Sequence, residues 1–133
     1  MLNASDAIFN NLNAKQREAV ESIEGPLLVL AGPGSGKTRV ITHRIAYLMR
    51  TFGVAARNIL AVTFTNKAAR EMQVRISLNL NEKVSSLPWL GTFHSVSAKI
   101  LRRHAEAVGL NSRFTIIDQE DQLRLIKNIC KAE

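Results

Sequence analysis

An apolar run passes directly into a glycine-rich segment in the stretch Leu27-Leu28-Val29-Leu30-Ala31-Gly32-Pro33-Gly34-Ser35-Gly36-Lys37-Thr38. The apolar residues predict a strand that is buried on both faces, as in the middle of a parallel sheet. A helical pattern follows from Lys37, so the predicted order is strand, loop and helix. In that order, the N–H groups of the loop and the positive end of the helix converge on one point, which suits a phosphate chain. We interpret the stretch as a nucleotide-binding loop.

The strict pattern for such loops is G-x-x-x-x-G-K-[ST], and Ala31 occupies its first position here. Lys37 would place a positive charge on the outer phosphates, and Thr38 would offer a hydroxyl group to Mg²⁺. The alternative is a glycine-rich turn that a lysine follows by chance, but the flanking strand and helix patterns favour the nucleotide site. The predicted nucleotide-binding residues of the loop are Gly32, Pro33, Gly34, Ser35, Gly36, Lys37 and Thr38.

The chain has 133 residues and a net charge of +7, and its basic side chains are concentrated in the middle. Residues 25–104 carry twelve basic and two acidic side chains. This favours a polyanionic partner, with a solvated basic surface as the alternative. No apolar run approaches the ~18 to 20 residues that span a bilayer, and no signal segment is apparent. Together with the single Cys130, these features lead us to expect a cytoplasmic protein without a membrane partner.

Two residues near the loop have two possible roles each. Asn13 and Gln16 are spaced for a helix-capping box, but a glutamine amide can also form paired hydrogen bonds with adenine. Arg39, two residues beyond Lys37, is either an exposed helix arginine or a contact to the nucleotide's base or sugar. The residue pattern alone leaves both alternatives open.

Further strands and helices are predicted along the chain. Residues 59–64 predict a second buried strand, followed by a helix to about Leu78 that Thr65 or Asn66 caps. Phe64 would lie at the carboxyl end of this strand, where it either joins the core or stacks on an unpaired base.

Residues 89–95 predict a short strand that runs into a helix over residues 96–108. His94 lacks partners at metal-ligand spacing, so we do not assign it to a metal site. Residues 114–117 precede a C-terminal helix, which Asp118 is placed to cap. The alternative is that residues 114–117 form a strand and that Asp118 and Glu120 hold Mg²⁺.

Four segments together resemble the start of the superfamily 1 DNA helicases of the UvrD, Rep and PcrA type. The segments are residues 12–20, 31–40, 61–72 and 91–94, in the order and spacing of that family. The resemblance implies an α/β fold with a partial P-loop (RecA-like) parallel sheet and flanking helices, followed by the start of an inserted helical subdomain. Residues 1–90 would be the N-terminal part of the ATP-binding motor domain, and residues 91–133 the beginning of the inserted subdomain.

The resemblance also implies roles for individual residues. Gln16 would bind adenine, Arg39 would pack near the base, and the loop would hold ATP and Mg²⁺, with Lys37 and Thr38 as the catalytic residues and Thr38 as the metal ligand. The residues expected to contact single-stranded DNA are Phe64, Thr65, Asn66, Thr92 and His94. In this family, two motor domains close on ATP and open on hydrolysis, moving along one strand from 3′ to 5′.

The chain departs from the family because the acidic motif that orients the attacking water, the later glutamine and arginine motifs and the second motor domain are missing from it. These parts supply the general base and the transition-state arginines, so we expect nucleotide binding without turnover. The chain therefore resembles an N-terminal fragment whose partners include DNA and the rest of a helicase chain. One alternative is a non-hydrolysing module that binds nucleotide or single-stranded DNA. Self-association through an incomplete sheet is also possible.

Overall fold

The computed structural model describes residues 6–84 and 87–132. The chain divides into two compact units, Met1–Val96 and Ser97–Glu133. The described residues combine helices with a small parallel sheet, so the fold is of mixed α/β type. In these residues, no helix combines the length and the apolar character needed to cross a membrane. The predicted domain boundary after residue 90 stays a prediction.

The first unit contains most of the secondary structure. Its elements are a 3-10 helix at Asp6–Phe9, α1 at Ala14–Glu21, α2 at Lys37–Thr51, a 3-10 helix at Ala56–Asn58, β1 at Ala61–Thr63, α3 at Asn66–Leu80, β2 at Leu90–Thr92 and the start of α4, Phe93–Arg103. The helices α2 and α3 begin as predicted, and the Thr65 hydroxyl caps α3 by accepting from the Ala68 N–H at 3.1 Å. Local sequence signals therefore located both helices.

The core of this unit lies between α2, α3 and the two strands. Its buried residues are Ile45, Ala46, Ile59, Ala61, Met72, Ile76, Leu80 and Leu87. The strands β1 and β2 are parallel, with Ala61 opposite Leu90 and Thr63 opposite Thr92. A Cβ atom at Gly91 would lie 2.6 Å from Ser95 Oγ. A larger residue at position 91 would therefore require the Ser95 side chain to move, so glycine suits the close approach of β2 to the first turn of α4.

The prediction of a buried strand over residues 27–30 is wrong. The structure assigns these residues to neither helix nor strand, and Leu28 and Leu30 are 80% and 87% exposed. Among the described residues, none forms a hydrogen bond with the backbone of residues 27–30. A strand requires a neighbour that satisfies its N–H and C=O groups, and the described part of the chain supplies none here.

The second unit contains the remainder of α4, a 3-10 helix at Ala105–Val108 and α5 at Gln119–Ala132. Asp118 Oδ1 accepts from the Asp121 N–H at 2.9 Å, so the predicted capping role of Asp118 is confirmed. Residues 114–117 form no strand, so the alternative prediction of a strand at this position is wrong. The Arg102 guanidinium lies 5.5 Å from the centre of the Phe114 ring, an arrangement that favours cation–π attraction.

Candidate nucleotide-binding site

The glycine-rich loop adopts a tight turn that depends on two glycines. Gly34 and Gly36 have φ values of 72° and 84°, in the left-handed region that other residues avoid. The Ser35 N–H donates to the Gly32 carbonyl at 3.3 Å, and the Ser35 hydroxyl donates to the same oxygen. The loop is therefore closed by its own backbone before α2 begins.

The start of α2 leaves backbone donors available. The helical ladder begins with the bond from the Val40 N–H to the Gly36 carbonyl at 3.1 Å. The N–H groups of residues 37–39 have no acceptor among the described residues, and no side chain caps this end. These donors and the helix dipole make the loop a suitable site for an anion.

Lys37 turns back over the loop. Its ammonium group donates to the carbonyl oxygens of Ala31 and Gly32, at 2.9 and 3.1 Å. These neutral acceptors are weaker partners for an ammonium ion than phosphate oxygens are. Lys37 is therefore placed at the loop and can exchange its carbonyl partners for an anionic ligand.

Gln16 joins α1 to the loop. Its Oε1 accepts from the Asn13 N–H at 3.0 Å, and Asn13 Oδ1 accepts from the Gln16 N–H at 2.9 Å, so the predicted capping box is confirmed. Gln16 Nε2 also donates to the Ser35 carbonyl at 3.0 Å. A Cβ atom at Gly36 would lie 2.8 Å from Nε2, so a larger residue at position 36 would displace this amide.

The amide of Gln16 keeps hydrogen-bonding capacity in this arrangement. Its Oε1 has a second lone pair and its Nε2 has a second hydrogen, beyond those bonded to Asn13 and Ser35. Those are the two groups that a glutamine needs to recognise adenine. The capping role and the predicted adenine role of Gln16 are therefore chemically compatible.

Arg39 lies next to the loop and is held by the chain that precedes α1. Its Nη1 donates to the Asn11 carbonyl at 3.1 Å. Arg39 lines a cavity of about 280 Å³ together with residues 34–38. It also lines an adjacent cavity of about 250 Å³ with Thr42 and His43. The cavities beside Arg39 therefore leave room for the base that Arg39 is predicted to contact.

His43 is partly buried one turn after Arg39. Burial lowers the pKa of His43 from its ordinary value, although a hydrogen bond with the Arg39 carbonyl opposes this change. The His43 Nδ1 atom lies 2.8 Å from that carbonyl and 3.2 Å from Asn79 Nδ2. The ring can donate to the carbonyl or accept from the amide, according to its tautomer. At neutral pH, the lowered pKa favours the uncharged ring.

Arg75 is a residue at this site that the sequence reasoning missed. It belongs to α3, yet it lines the 280 Å³ cavity with the loop and the 250 Å³ cavity with Arg39 and His43. Nothing in the local pattern distinguishes Arg75 from Arg70 on the same helix. Its position depends on how α2 and α3 pack, which a one-residue signal does not report.

Two other arginines of α2 have structural partners. Arg44 Nη1 donates to the carbonyl oxygens of Ala19 and Ser22 at the end of α1, at 2.7 Å from the former. Arg50 Nη2 donates to the Leu80 carbonyl at the end of α3. Both cations complement the negative ends of helices, so part of the basic charge stabilises the fold.

The residues expected to contact DNA lie on two neighbouring segments. Phe64 follows β1 and Phe93 follows β2, and their ring centres are 5.3 Å apart. Phe64 is 88% exposed, and Asn66 and His94 are also exposed. The parallel pairing of Thr63 with Thr92 brings these two predicted strand-contact segments together. Phe93, which lies between Thr92 and His94, was not among the predicted contacts.

The two threonines in this group cap helices. The Thr65 hydroxyl caps α3, as described above, and Thr92 Oγ1 accepts from the Ser95 N–H at 3.1 Å at the start of α4. Both therefore have a structural role, and their DNA contacts stay predictions. The Thr65 cap alone is worth about 1 kcal/mol of helix stability.

The loop is suited to a nucleotide with Mg²⁺ because of its donor set. Lys37, the free backbone N–H groups and the two left-handed glycines fit a phosphate chain. Thr38, which was predicted to offer a hydroxyl to Mg²⁺, is the second residue of α2. Among the described residues, no group of three or more His, Cys, Asp or Glu side chains could hold a metal ion. The magnesium contact of Thr38 stays a prediction.

A glycine loop that opens a helix, with a lysine folded over it, is typical of the P-loop nucleotide-binding proteins. The chain belongs to the UvrD/REP helicase family, because the UvrD/REP helicase N-terminal domain model matches residues 12–133. It is 52% identical over 128 residues to the ATP-dependent DNA helicase PcrA of Staphylococcus epidermidis strain RP62A. It is 51% identical over 128 residues to the PcrA of Staphylococcus aureus strain Mu50. Each alignment covers 96% of this chain, which spans only 17% of the length of these relatives.

Proposed function

We propose that this chain is the ATP-binding N-terminal segment of an ATP-dependent 3′–5′ DNA helicase, built on a partial RecA-like sheet. On its own it binds nucleotide weakly and does not turn it over. The observation that carries the proposal is the bond from Gln16 Nε2 to the Ser35 carbonyl. This bond places the amide suited to adenine directly on the loop suited to phosphate.

Different residues of the site bind different parts of the nucleotide. Backbone N–H groups of the loop and of the start of α2 bind the phosphates, and Lys37 moves from the Ala31 and Gly32 carbonyls to the outer phosphates. Thr38 offers its hydroxyl to Mg²⁺, which neutralises phosphate charge when it is bound. Gln16 recognises the base, and Arg39 packs beside it.

A second group of residues contacts single-stranded DNA. The exposed Phe64 ring stacks on a base, and its neighbour Phe93 extends the aromatic surface. Thr65, Asn66, Thr92 and His94 contact the same strand. The basic middle of the chain supports DNA binding through the release of counterions.

Turnover requires groups from the longer protein. The cavity at the loop has no Asp or Glu side chain among the described residues that line it. Further sequence must therefore supply two kinds of group. One is a carboxylate that orients the attacking water, and the other is a set of arginines that stabilise the transferring phosphoryl group.

That sequence also supplies partner strands for residues 27–30. In the absence of that sequence, we expect copies of this chain to associate through residues 27–30. We also expect the protein to act in the cytoplasm.

A chimera tests the proposed function. This chain replaces the matching segment of Staphylococcus aureus PcrA, and ATP hydrolysis is measured with and without single-stranded DNA. We expect DNA-stimulated hydrolysis that Lys37→Ala lowers about a hundredfold or more, because the variant lacks the cation that stabilises the phosphates.

The control variant for the chimera is Lys127→Ala, which removes an exposed lysine of α5. Hydrolysis by the control should equal that of the unmodified chimera. If the Lys37→Ala chimera still hydrolyses ATP at the unmodified rate, the proposed function is wrong.

A further inference from the structure

We propose that Arg75 is a further nucleotide-binding residue, which contacts the phosphate chain from α3. This inference rests on the proposed function, because it assigns a second cation to the same ligand. Its starting point is the cavity of about 280 Å³ at the loop. Residues 34–39 form one continuous wall of the cavity, and Arg75 is the lining residue that a different helix contributes.

Arg75 lines two neighbouring cavities beside the loop. It also lines the adjacent cavity of about 250 Å³ with Arg39 and His43. Arg75 and Arg39 therefore line both cavities. One cavity lies at the loop, and the other lies one turn further along α2. A guanidinium group in this position can reach a phosphate chain that starts at the loop.

Arg75 differs from the nearby cations Lys37 and Arg39 in its hydrogen bonds. Lys37 is bonded to the Ala31 and Gly32 carbonyls, and Arg39 is bonded to the Asn11 carbonyl. For Arg75, no hydrogen bond or ion pair is found within the described part of the chain, and its side chain is exposed. Arg75 thus reaches the cavity with its full set of guanidinium donors available.

The charge around Arg75 favours an anion. No Asp or Glu lines either cavity among the residues that the structure describes there, whereas Lys37, Arg39 and Arg75 are all cationic. An arginine fork matches two phosphate oxygens at once, and such charge-assisted bonds are about twice as strong as neutral ones. The ligand class assigned to Arg75 is therefore the phosphate chain of a nucleoside triphosphate.

The test compares two arginines of one helix. Arg75→Gln and Arg70→Gln both remove one exposed charge from α3, but Arg70 lines a different cavity, with Val74 and Ser77. Isothermal titration measures the binding of MgATP and of inorganic tripolyphosphate to the 133-residue chain. We expect Arg75→Gln to weaken both ligands about tenfold, Arg75→Lys to weaken them less, and Arg70→Gln to leave both within about twofold.

Each other outcome overturns the inference in a distinct way. If Arg75→Gln behaves like Arg70→Gln while Lys37→Ala still weakens MgATP, Arg75 has no role and the proposed function survives. If Arg75→Gln weakens MgATP but not tripolyphosphate, the assignment to phosphate is wrong. If the unmodified chain binds neither ligand, the proposed nucleotide binding by this chain and the role of Arg75 are both wrong. Unchanged circular dichroism and thermal melting of the variants exclude loss of folding as the cause.

Discussion

Gln16 caps a helix and still keeps hydrogen-bonding capacity for a ligand. Sequence reasoning set its capping role against its adenine role, whereas the structure shows that one set of its amide valences caps α1 and bonds to the loop. The remaining valences point to no protein group among the described residues, so they stay available for a base. The two interpretations of Gln16 are therefore not exclusive.

Substitution of Gln16 separates these two roles. Gln16→Glu keeps an acceptor for the Asn13 N–H, as in other capping boxes, but it loses the donor to Ser35 and to adenine. We expect its melting temperature to remain close to that of the unmodified chain, while its affinity for MgATP falls about tenfold. Gln16→Ala loses both roles, so its stability also falls, by about 1 kcal/mol.

Titrations with MgATP and thermal melts of the two variants measure these effects. Inorganic tripolyphosphate is the control ligand, because it has no base. If Gln16→Glu binds MgATP as tightly as the unmodified chain does, Gln16 only caps the helix and takes no part in nucleotide binding.

Some features of individual residues in the site could be predicted from the sequence, and others could not. Gly36 and Lys37 could be singled out from a short local motif, and their nucleotide contacts stay predictions. The contacts of Arg44 and Arg50 and the position of Arg75 beside the loop were missed, because each depends on a second element, at the end of α1, at the end of α3 or at the loop. A local sequence pattern contains no direct signal for contacts between distant segments of the chain.

At the scale of elements, helices and strands were predicted with different success for a physical reason. The helices α2 and α3 satisfy their own backbone groups, so local patterns sufficed to locate them. Residues 27–30 have the composition of a buried strand, but a strand forms only when a neighbour pairs with it. The described part of the chain provides no such neighbour, and the apolar side chains remain exposed.

These exposed residues lead to a prediction about association. A segment with unpaired backbone groups and exposed apolar side chains favours pairing with another copy. We expect sedimentation velocity of the 133-residue chain to show dimers or larger species as concentration rises. The double variant Leu28→Lys/Leu30→Lys should shift the chain to monomers, because it places two charges on this segment.

The matched control is Val74→Lys/Leu78→Lys, which adds the same charges to exposed apolar positions of α3. It should associate like the unmodified chain. If the unmodified chain is a monomer at all concentrations, or if Leu28→Lys/Leu30→Lys associates equally well, association through residues 27–30 is wrong.

At the scale of the whole molecule, the chain belongs to the UvrD/REP helicase family and spans 17% of the length of its PcrA relatives. The family could be predicted from four segments because their order and spacing are specific. The α/β class also followed from the sequence, and the structure has a two-stranded parallel sheet. A complete RecA-like sheet stays a prediction, since the described residues pair two strands.

Calorimetric titration of MgATP into the 133-residue chain tests most directly whether the loop binds a nucleotide. We predict weak saturable binding that Lys37→Ala reduces about tenfold or more, because it removes the ammonium group now held on the Ala31 and Gly32 carbonyls. Lys127→Ala, which removes an equal charge from α5, should leave the affinity unchanged. Absence of binding by the unmodified chain, or equal affinity in Lys37→Ala, would contradict a nucleotide site at this loop.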